Sequence, residues 1–529
     1  MNDAALQILG HVVPWQTLGD LLADKHACHG DAAFAEIAGT PVTYRELDLV
    51  SQAVATNLLA SGLAKGDRVA TFMLNAPEQL YTWFGCARAG LVWVPLNAGL
   101  VGEDLAYTLR NSGARVLIAD EECGARFAAI RGTLPPIRLV VTDETPAMPG
   151  AEPFAALRAA ADTSALPATL GGDAAVILYT GGTTGLPKGV VLSQFSFILA
   201  GLRYGEAFGV RAGERHFSTM PLFHAGALQW GIMGPLVNDM TTVVDRRFSA
   251  SNYLNRLHET KADVIDAFGV VVSMLCRQPP SSVDRQHQVR LSVGAVHGLA
   301  PEIPLEFTRR FGIPLLLLYG LTEGGGAMLT TNRDRLTGSN GKPHGWVEIR
   351  IADEHGLPVP PGTVGDVLLR PTQPDMFMQG YFADAEKSLA SFRDCWLQTG
   401  DLGKLEADGN FWFIGRKSHW LRRRGESISA VEVETILQKY PGVHEAAVVP
   451  AASEFGDDEV KAFLVPSPGT ALDPTRVAEW CAAQMAAFKI PRYIEFIDAL
   501  PRSTAKMEID RGELRRRSNE HAWDRGSGR

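Results

Sequence analysis

Between residues 43 and 143 short apolar runs alternate with segments of helical periodicity, and this alternation narrows the fold more than any other feature. Residues 43–63 carry apolar side chains at helical spacing and run out at Gly62, which predicts a helix stopped by glycine. Residues 68–74 read as a buried strand, 77–90 as a helix and 92–97 as a second strand, with further strands at 115–120 and 137–143. Strands alternating with helices imply a largely parallel sheet covered on its faces, with ligands beyond the carboxyl ends of the strands. Residues 340–415 change character to alternating strands punctuated by glycine and proline, a β-rich subdomain. From residue 416 onward helix, strand, strand and helix form a compact α+β unit. A chain of 529 residues exceeds what one core organises, so we expect a large α/β N-terminal domain over 1–415 and a small α+β C-terminal domain over 416–529.

The net charge of -9 argues against nucleic acid as a partner, because phosphate contacts need a basic face. The arginine-rich tail from residue 511 reads as a solvated end. Six scattered cysteines without a CxxC pair indicate free thiols and a cytoplasmic setting. His26, Cys28 and His29 lie close together but lack a second ligand pair, so a surface loop is expected there and not a metal site. No run of about 18 apolar residues occurs, which predicts no membrane span.

Residues 176–189 say most about chemistry. An apolar strand, Val176–Tyr179, runs into Thr180, Gly181, Gly182, Thr183, Thr184, Gly185, Leu186, Pro187, Lys188 and Gly189. Glycines let backbone N–H groups crowd an anion, threonines add hydroxyl donors and a lysine adds charge, which together suit a polyphosphate. It is not a Walker A loop, since Lys188 is followed by Gly189 and not by Ser or Thr. Further on, an apolar run ends in Tyr319, Gly320, Leu321, Thr322 and Glu323, ahead of three glycines. A hard cation carried on nucleotide phosphates favours a carboxylate oxygen such as that of Glu323.

With these residues in view, the chain resembles the adenylate-forming superfamily of acyl- and aryl-CoA ligases, peptide-synthetase adenylation domains and luciferases. Motifs in family order span about residues 15–515, and the segment 422–429 resembles the form seen in crotonobetaine/carnitine–CoA ligases and their relatives. The resemblance implies the adenylate-forming enzyme fold and a two-step reaction, in which an acid and ATP give acyl-AMP and pyrophosphate and the acyl group then passes to coenzyme A. ATP, Mg²⁺ and coenzyme A are the implied cofactors and co-substrates, a small carboxylic acid the partner, and a homodimer the default assembly. It further implies a phosphate role for Thr180 to Gly185 and Lys188. Tyr319 and Gly320 fall to adenine, Thr322 to the α-phosphate, and Glu323 with Thr184 to Mg²⁺. Asp401 and Arg416 fall to the ribose, His224 to the acyl or pantetheine site, Gly425 to the pantetheine passage, and Lys506 to the acyl carboxylate and α-phosphate. Arg422–Arg424 could meet the coenzyme phosphates, or form an exposed charged strand. Phe223, Gly226, Phe268, Val272, Gly298 and Met328 are further acid-pocket candidates. Three departures stand out: Ser418, followed by His419, where the family hinge usually has Asp or Lys; Ala505 in place of glycine before Lys506; and the form of Gly294, Ala295, His297 and Gly298. The alternatives are a ligase that loads a carrier protein and, in a different class, a degenerate nucleotide-binding sensor.

Overall fold

The computed structural model describes residues 6–142, 148–159, 166–182, 185–295, 299, 302–331, 338–417, 420–423, 426–452, 458–502 and 509–526. Two large sheets dominate. The first has eight strands in the spatial order Gly380–Tyr381, Gly185–Ser193, Ala174–Gly182, Val92–Leu96, Arg68–Phe72, Val116–Ala119, Arg138–Val141 and Ala151–Pro153. Its strands from Ala174–Gly182 to Ala151–Pro153 pair in parallel, as the strand–helix alternation predicts. The second has nine strands, with a parallel centre running from Leu315–Leu321 through Leu291–Gly294, Val264–Asp266, Arg215–Ser218 and Thr241–Val244 to Ala33–Ile37.

The helix expected over 43–63 spans Tyr44–Ala60: the Thr43 hydroxyl accepts from the Glu46 amide at its start, and Gly62 follows at φ +88°. Pro77–Ala89 starts on proline, where the missing N–H costs nothing, and stops at Gly90 in the left-handed region (φ +65°). It and Gln194–Phe208 are buried around most of their circumference, as helices between two layers must be. One hydrophobic core therefore runs through both sheets, with Trp93 and Leu178 from the first, Phe197 and Trp83 from the helices, and Val264 and Leu318 from the second.

A five-stranded antiparallel sheet built on Val347–Ala352, Gly365–Pro371, Trp396–Leu405 and Phe411–Arg416 matches the expected β-rich segment. From Leu421 on, the helices Ala430–Leu437 and Pro474–Gln484 and the sheet of Val443–Ala452, Asp458–Pro466, Tyr493–Phe496 and Trp523–Asp524 pack hydrophobic clusters of their own.

One local expectation needs correction. His26, Cys28 and His29 lie in the last turns of the helix Leu18–His29 and not in a loop, where His26 meets Asp48 (2.7 Å) and His29 meets Asp239 (2.8 Å). The strand Arg215–Ser218 ends before His224, which lies in a turn that leads into the π-helix Ala227–Met233. All six cysteines are unbonded, and Cys86, Cys123 and Cys481 are buried. Among the described residues no helix is long and apolar enough to cross a membrane.

Candidate active site

The glycine- and threonine-rich segment forms a hairpin and not an open loop. Ala174–Gly182 pairs antiparallel with Gly185–Ser193, so that Tyr179 faces Gly189, Thr180 faces Lys188 and Gly182 faces Gly185. Thr183 and Thr184 at its tip lie outside the described residues. Gly189 has a packing reason: a Cβ there would fall 2.7 Å from Ile177 Cγ2 and 3.3 Å from the Tyr179 ring. Its carbonyl accepts from the Phe382 amide at 2.7 Å, which ties the edge strand Gly380–Tyr381 to the hairpin. Through that tie the Lys188 ammonium sits 4.8 Å from the centre of the Tyr381 ring.

Leu315–Leu321 carries Tyr319 and Gly320 to the end of a central strand, and a 3-10 turn, Thr322–Gly324, follows. The turn closes on Gly325 at φ +63°, where a Cβ would lie 1.3 Å from the Met376 carbonyl oxygen, so only glycine fits. The buried Arg203 guanidinium donates to the Gly325 carbonyl at 2.7 Å, and the Met378 amide donates to the Glu323 carbonyl at 2.9 Å. Burial lowers the Arg203 pKa to about 9. With its backbone held on both sides, Glu323 receives the Tyr381 hydroxyl on Oε1 at 3.0 Å. Burial first, then the Glu323 charge, pushes the Tyr381 phenol up, which keeps it a donor. The Glu323 carboxylate, with one oxygen held by Tyr381, is a hard-oxygen ligand that fits Mg²⁺ arriving on nucleotide phosphates.

Tyr319 is 2% exposed, packed against Phe411 and Phe413, and its hydroxyl donates to Asp401 Oδ2 at 2.7 Å. Burial and the Asp401 charge raise its pKa well above the usual phenol value. Asp401 also lies 2.9 Å from Arg416 Nε, and the two face each other across the hairpin of Trp396–Leu405 and Phe411–Arg416. A bare hairpin reading would put this aspartate on the surface. It is 2% exposed, because that face of the hairpin covers Tyr319.

On the acid side, the Phe223 and His224 rings lie 4.7 Å apart. A Cβ on Gly226 would meet Met220 at 3.4 Å and Phe268 at 3.5 Å, and Phe268 stacks on Trp230 at 5.1 Å and 4°. Val272 is buried in a neighbouring cluster with Phe217 and Leu257. Gly298 and the Met328 side chain lie outside the described residues. In the C-terminal part Arg423 is not an exposed charge: it is 5% exposed, paired with Glu459 at 2.7 Å and donating to the Phe488 carbonyl at 2.9 Å. A strand turns alternate side chains inward, and Arg423 falls on the same inward face as the fully buried Leu421. It is therefore unavailable to coenzyme phosphates. Ser418, His419, Arg424, Gly425, Ala505 and Lys506 lie outside the described residues.

Lys188 and Glu323 thus converge on one side chain, and Tyr319, Asp401 and Arg416 form a second cluster. Sequence reading missed Tyr381 and Arg203. Tyr381 sits on a two-residue strand 58 positions after Glu323, too short to leave a periodic signal.

The model of the AMP-binding enzyme family matches residues 22–382, and that of the AMP-binding enzyme C-terminal domain matches 432–506. A crotonobetaine/carnitine–CoA ligase of Shigella dysenteriae serotype 1 is 31% identical over 503 residues, covering 92% of this chain and 95% of the relative. The anthranilate CoA ligase AuaEII, solved with anthranoyl-AMP, superposes with a TM-score of 0.84 at 27% identity, covering 95% of this chain and 97% of that one. A benzoate CoA ligase of Burkholderia xenovorans LB400 gives 0.82 at 27% identity, covering 95% and 100%. The chain belongs to the AMP-binding enzyme family. Its reaction class is that of an AMP-forming acyl-CoA ligase, which uses ATP with Mg²⁺ and takes coenzyme A as co-substrate.

Proposed function

We propose that the Thr180–Gly189 hairpin with Lys188 holds the ATP polyphosphate, that Glu323 and Thr184 carry its Mg²⁺, and that Asp401 and Arg416 hold the ribose. Thr322 takes the α-phosphate, Gly320 lies along the adenine, and Tyr319 acts there by fixing the Asp401 carboxylate. The acid lies between His224, Gly226 and the Phe268 ring. One carboxylate oxygen attacks the α-phosphorus, the bond to the bridging oxygen breaks and pyrophosphate leaves with its electrons. No general base is needed, so the work is positioning and charge stabilisation. In the second half the coenzyme A sulfur attacks the acyl carbon and AMP departs.

By family resemblance Lys506 bridges the acyl carboxylate and α-phosphate in the first step, and Gly425 lines the pantetheine passage in the second. This assignment requires a division near residue 416 and a rotation of the smaller domain between the steps. A cytoplasmic location, supported by six unbonded thiols, and a homodimer complete the proposal. Sedimentation of the purified chain checks the assembly.

The observation that carries the reading is the convergence on Tyr381 of Lys188, from a strand of the first sheet, and Glu323, from the turn after a strand of the second. ATP–pyrophosphate exchange across a panel of carboxylic acids tests it. Acid-dependent exchange is expected, and none with any acid in the presence of Mg²⁺ would end the proposal.

A further inference from the structure

The nucleotide reading leaves Tyr381 without a part, although it touches both charged groups assigned to the polyphosphate. Its ring lies under the Lys188 ammonium at 4.8 Å, and its hydroxyl donates to Glu323 Oε1 at 3.0 Å. An ammonium over an aromatic face is attracted by the ring quadrupole, while a phenol donating to a carboxylate fixes one oxygen and leaves the other open. No Lys188–Glu323 ion pair is present among the described residues; each of the two charged groups meets Tyr381 instead, one at the ring and one at the hydroxyl. Such a pair would neutralise the two charges that have to meet phosphate and magnesium separately.

The backbone around Tyr381 is suited to holding it there. Tyr381 pairs with Val190 on the lysine-bearing strand, and its amide donates to the Ser388 hydroxyl at 2.8 Å. On the other side, Met378 of the same segment donates to the Glu323 carbonyl. One short segment therefore reaches the backbone of both charge-bearing elements, and its tyrosine reaches both side chains.

Resting on the nucleotide reading, we propose that Tyr381 is a positioning residue with two separable parts: its ring holds Lys188 and Glu323 apart, and its hydroxyl aims Glu323 at the magnesium carried on ATP. Neither part requires contact with the reacting atoms.

The test is calorimetric binding of ATP with and without Mg²⁺ to the full chain and to Tyr381→Phe, Tyr381→Leu and Glu323→Gln. Tyr381→Phe keeps the ring and loses the hydrogen bond, so MgATP affinity should fall by about tenfold, the size expected for one hydrogen bond to a charged group, while metal-free ATP binds as before. Tyr381→Leu should weaken both. Combining Tyr381→Phe with Glu323→Gln should add little to Glu323→Gln alone, because both act through one contact. Far-UV circular dichroism and melting temperature confirm that each variant is folded. Equal weakening of MgATP and metal-free ATP by Tyr381→Phe, or no weakening, overturns the aiming part. A Tyr381→Leu variant that behaves like Tyr381→Phe overturns the spacing part. Failure of the unsubstituted chain to bind MgATP at all overturns the nucleotide reading, and this inference with it.

Discussion

Asp401 is held from two sides, by the Tyr319 hydroxyl and by Arg416, inside a site where it is almost fully covered. A buried carboxylate is costly unless its charge is met, and here a phenol and a guanidinium meet it. Replacing it with the isosteric Asn keeps the shape and removes the charge. We expect Asp401→Asn to raise the KM for ATP in pyrophosphate exchange by about tenfold, as loss of a charge-assisted contact would. The KM for the acid should stay close to its original value. Equal increases in both would remove Asp401 from the nucleotide side. At this scale the sequence was legible wherever chemistry is written in residue type: glycines with threonines and a lysine, a strand-end glutamate, an aspartate with an arginine. It was silent on burial. The Arg422–Arg424 run reads as a coenzyme contact or an exposed strand, and nothing in the sequence shows that Arg423 and Asp401 are each covered because an alternating strand turns the side chain inward.

Two strands of the nine-stranded sheet carry buried titratable groups with opposite demands. Asp266, at the end of Val264–Asp266, accepts from the Ser218 hydroxyl at 2.6 Å, and burial lifts its pKa to about 7. His216, on Arg215–Ser218, is fully buried, and burial lowers its pKa to about 3. An unfolded aspartate titrates near pH ~3.9 and an unfolded histidine near ~6.5. Between roughly pH 4 and 7 folded Asp266 keeps a proton that the unfolded chain has released, so its contribution to stability falls as pH rises. From about pH 6.5 down toward 3 the unfolded chain binds a proton that folded His216 refuses, so that contribution falls as pH drops. The two slopes oppose each other between roughly pH 4 and 6.5. Asp266→Asn removes one of them and can still accept from Ser218. Its stability relative to the unsubstituted chain should climb with pH across this window, by at most about 1.4 kcal/mol per pH unit, in denaturant melts. Parallel curves would show that Asp266 does not titrate there. The helices and parallel strands were readable from period and caps. The hairpin at Gly182 and Gly185 was not, because glycine-rich sequence looks the same in a loop and in a paired turn.

For the molecule as a whole, the hydrophobic clusters formed from Leu421 onward are separate from the core that joins the two large sheets. Assigning the two half-reactions to two arrangements of these parts makes a sharp forecast. Lys506→Ala should abolish acyl-AMP formation, followed as pyrophosphate release, and largely spare thioester formation from supplied acyl-AMP. Gly425→Leu should do the reverse, with a smaller effect on adenylation than on coenzyme A transfer. Equal loss of both steps in either variant would refute the division. Chain length and the change of element pattern after the β-rich segment made a large and a small part readable. How the parts meet during turnover depends on contacts between distant segments, which no local pattern in the sequence records.

The Gly325 turn sets a limit on what the gene can tolerate. With the Met376 oxygen standing where any β-carbon would have to go, no neighbouring adjustment of a side chain can make room, since the obstacle is main chain. A library randomised at this codon and selected for ligase activity should return glycine alone, whatever the acid used, whereas positions in the acid pocket should diversify with the acid chosen.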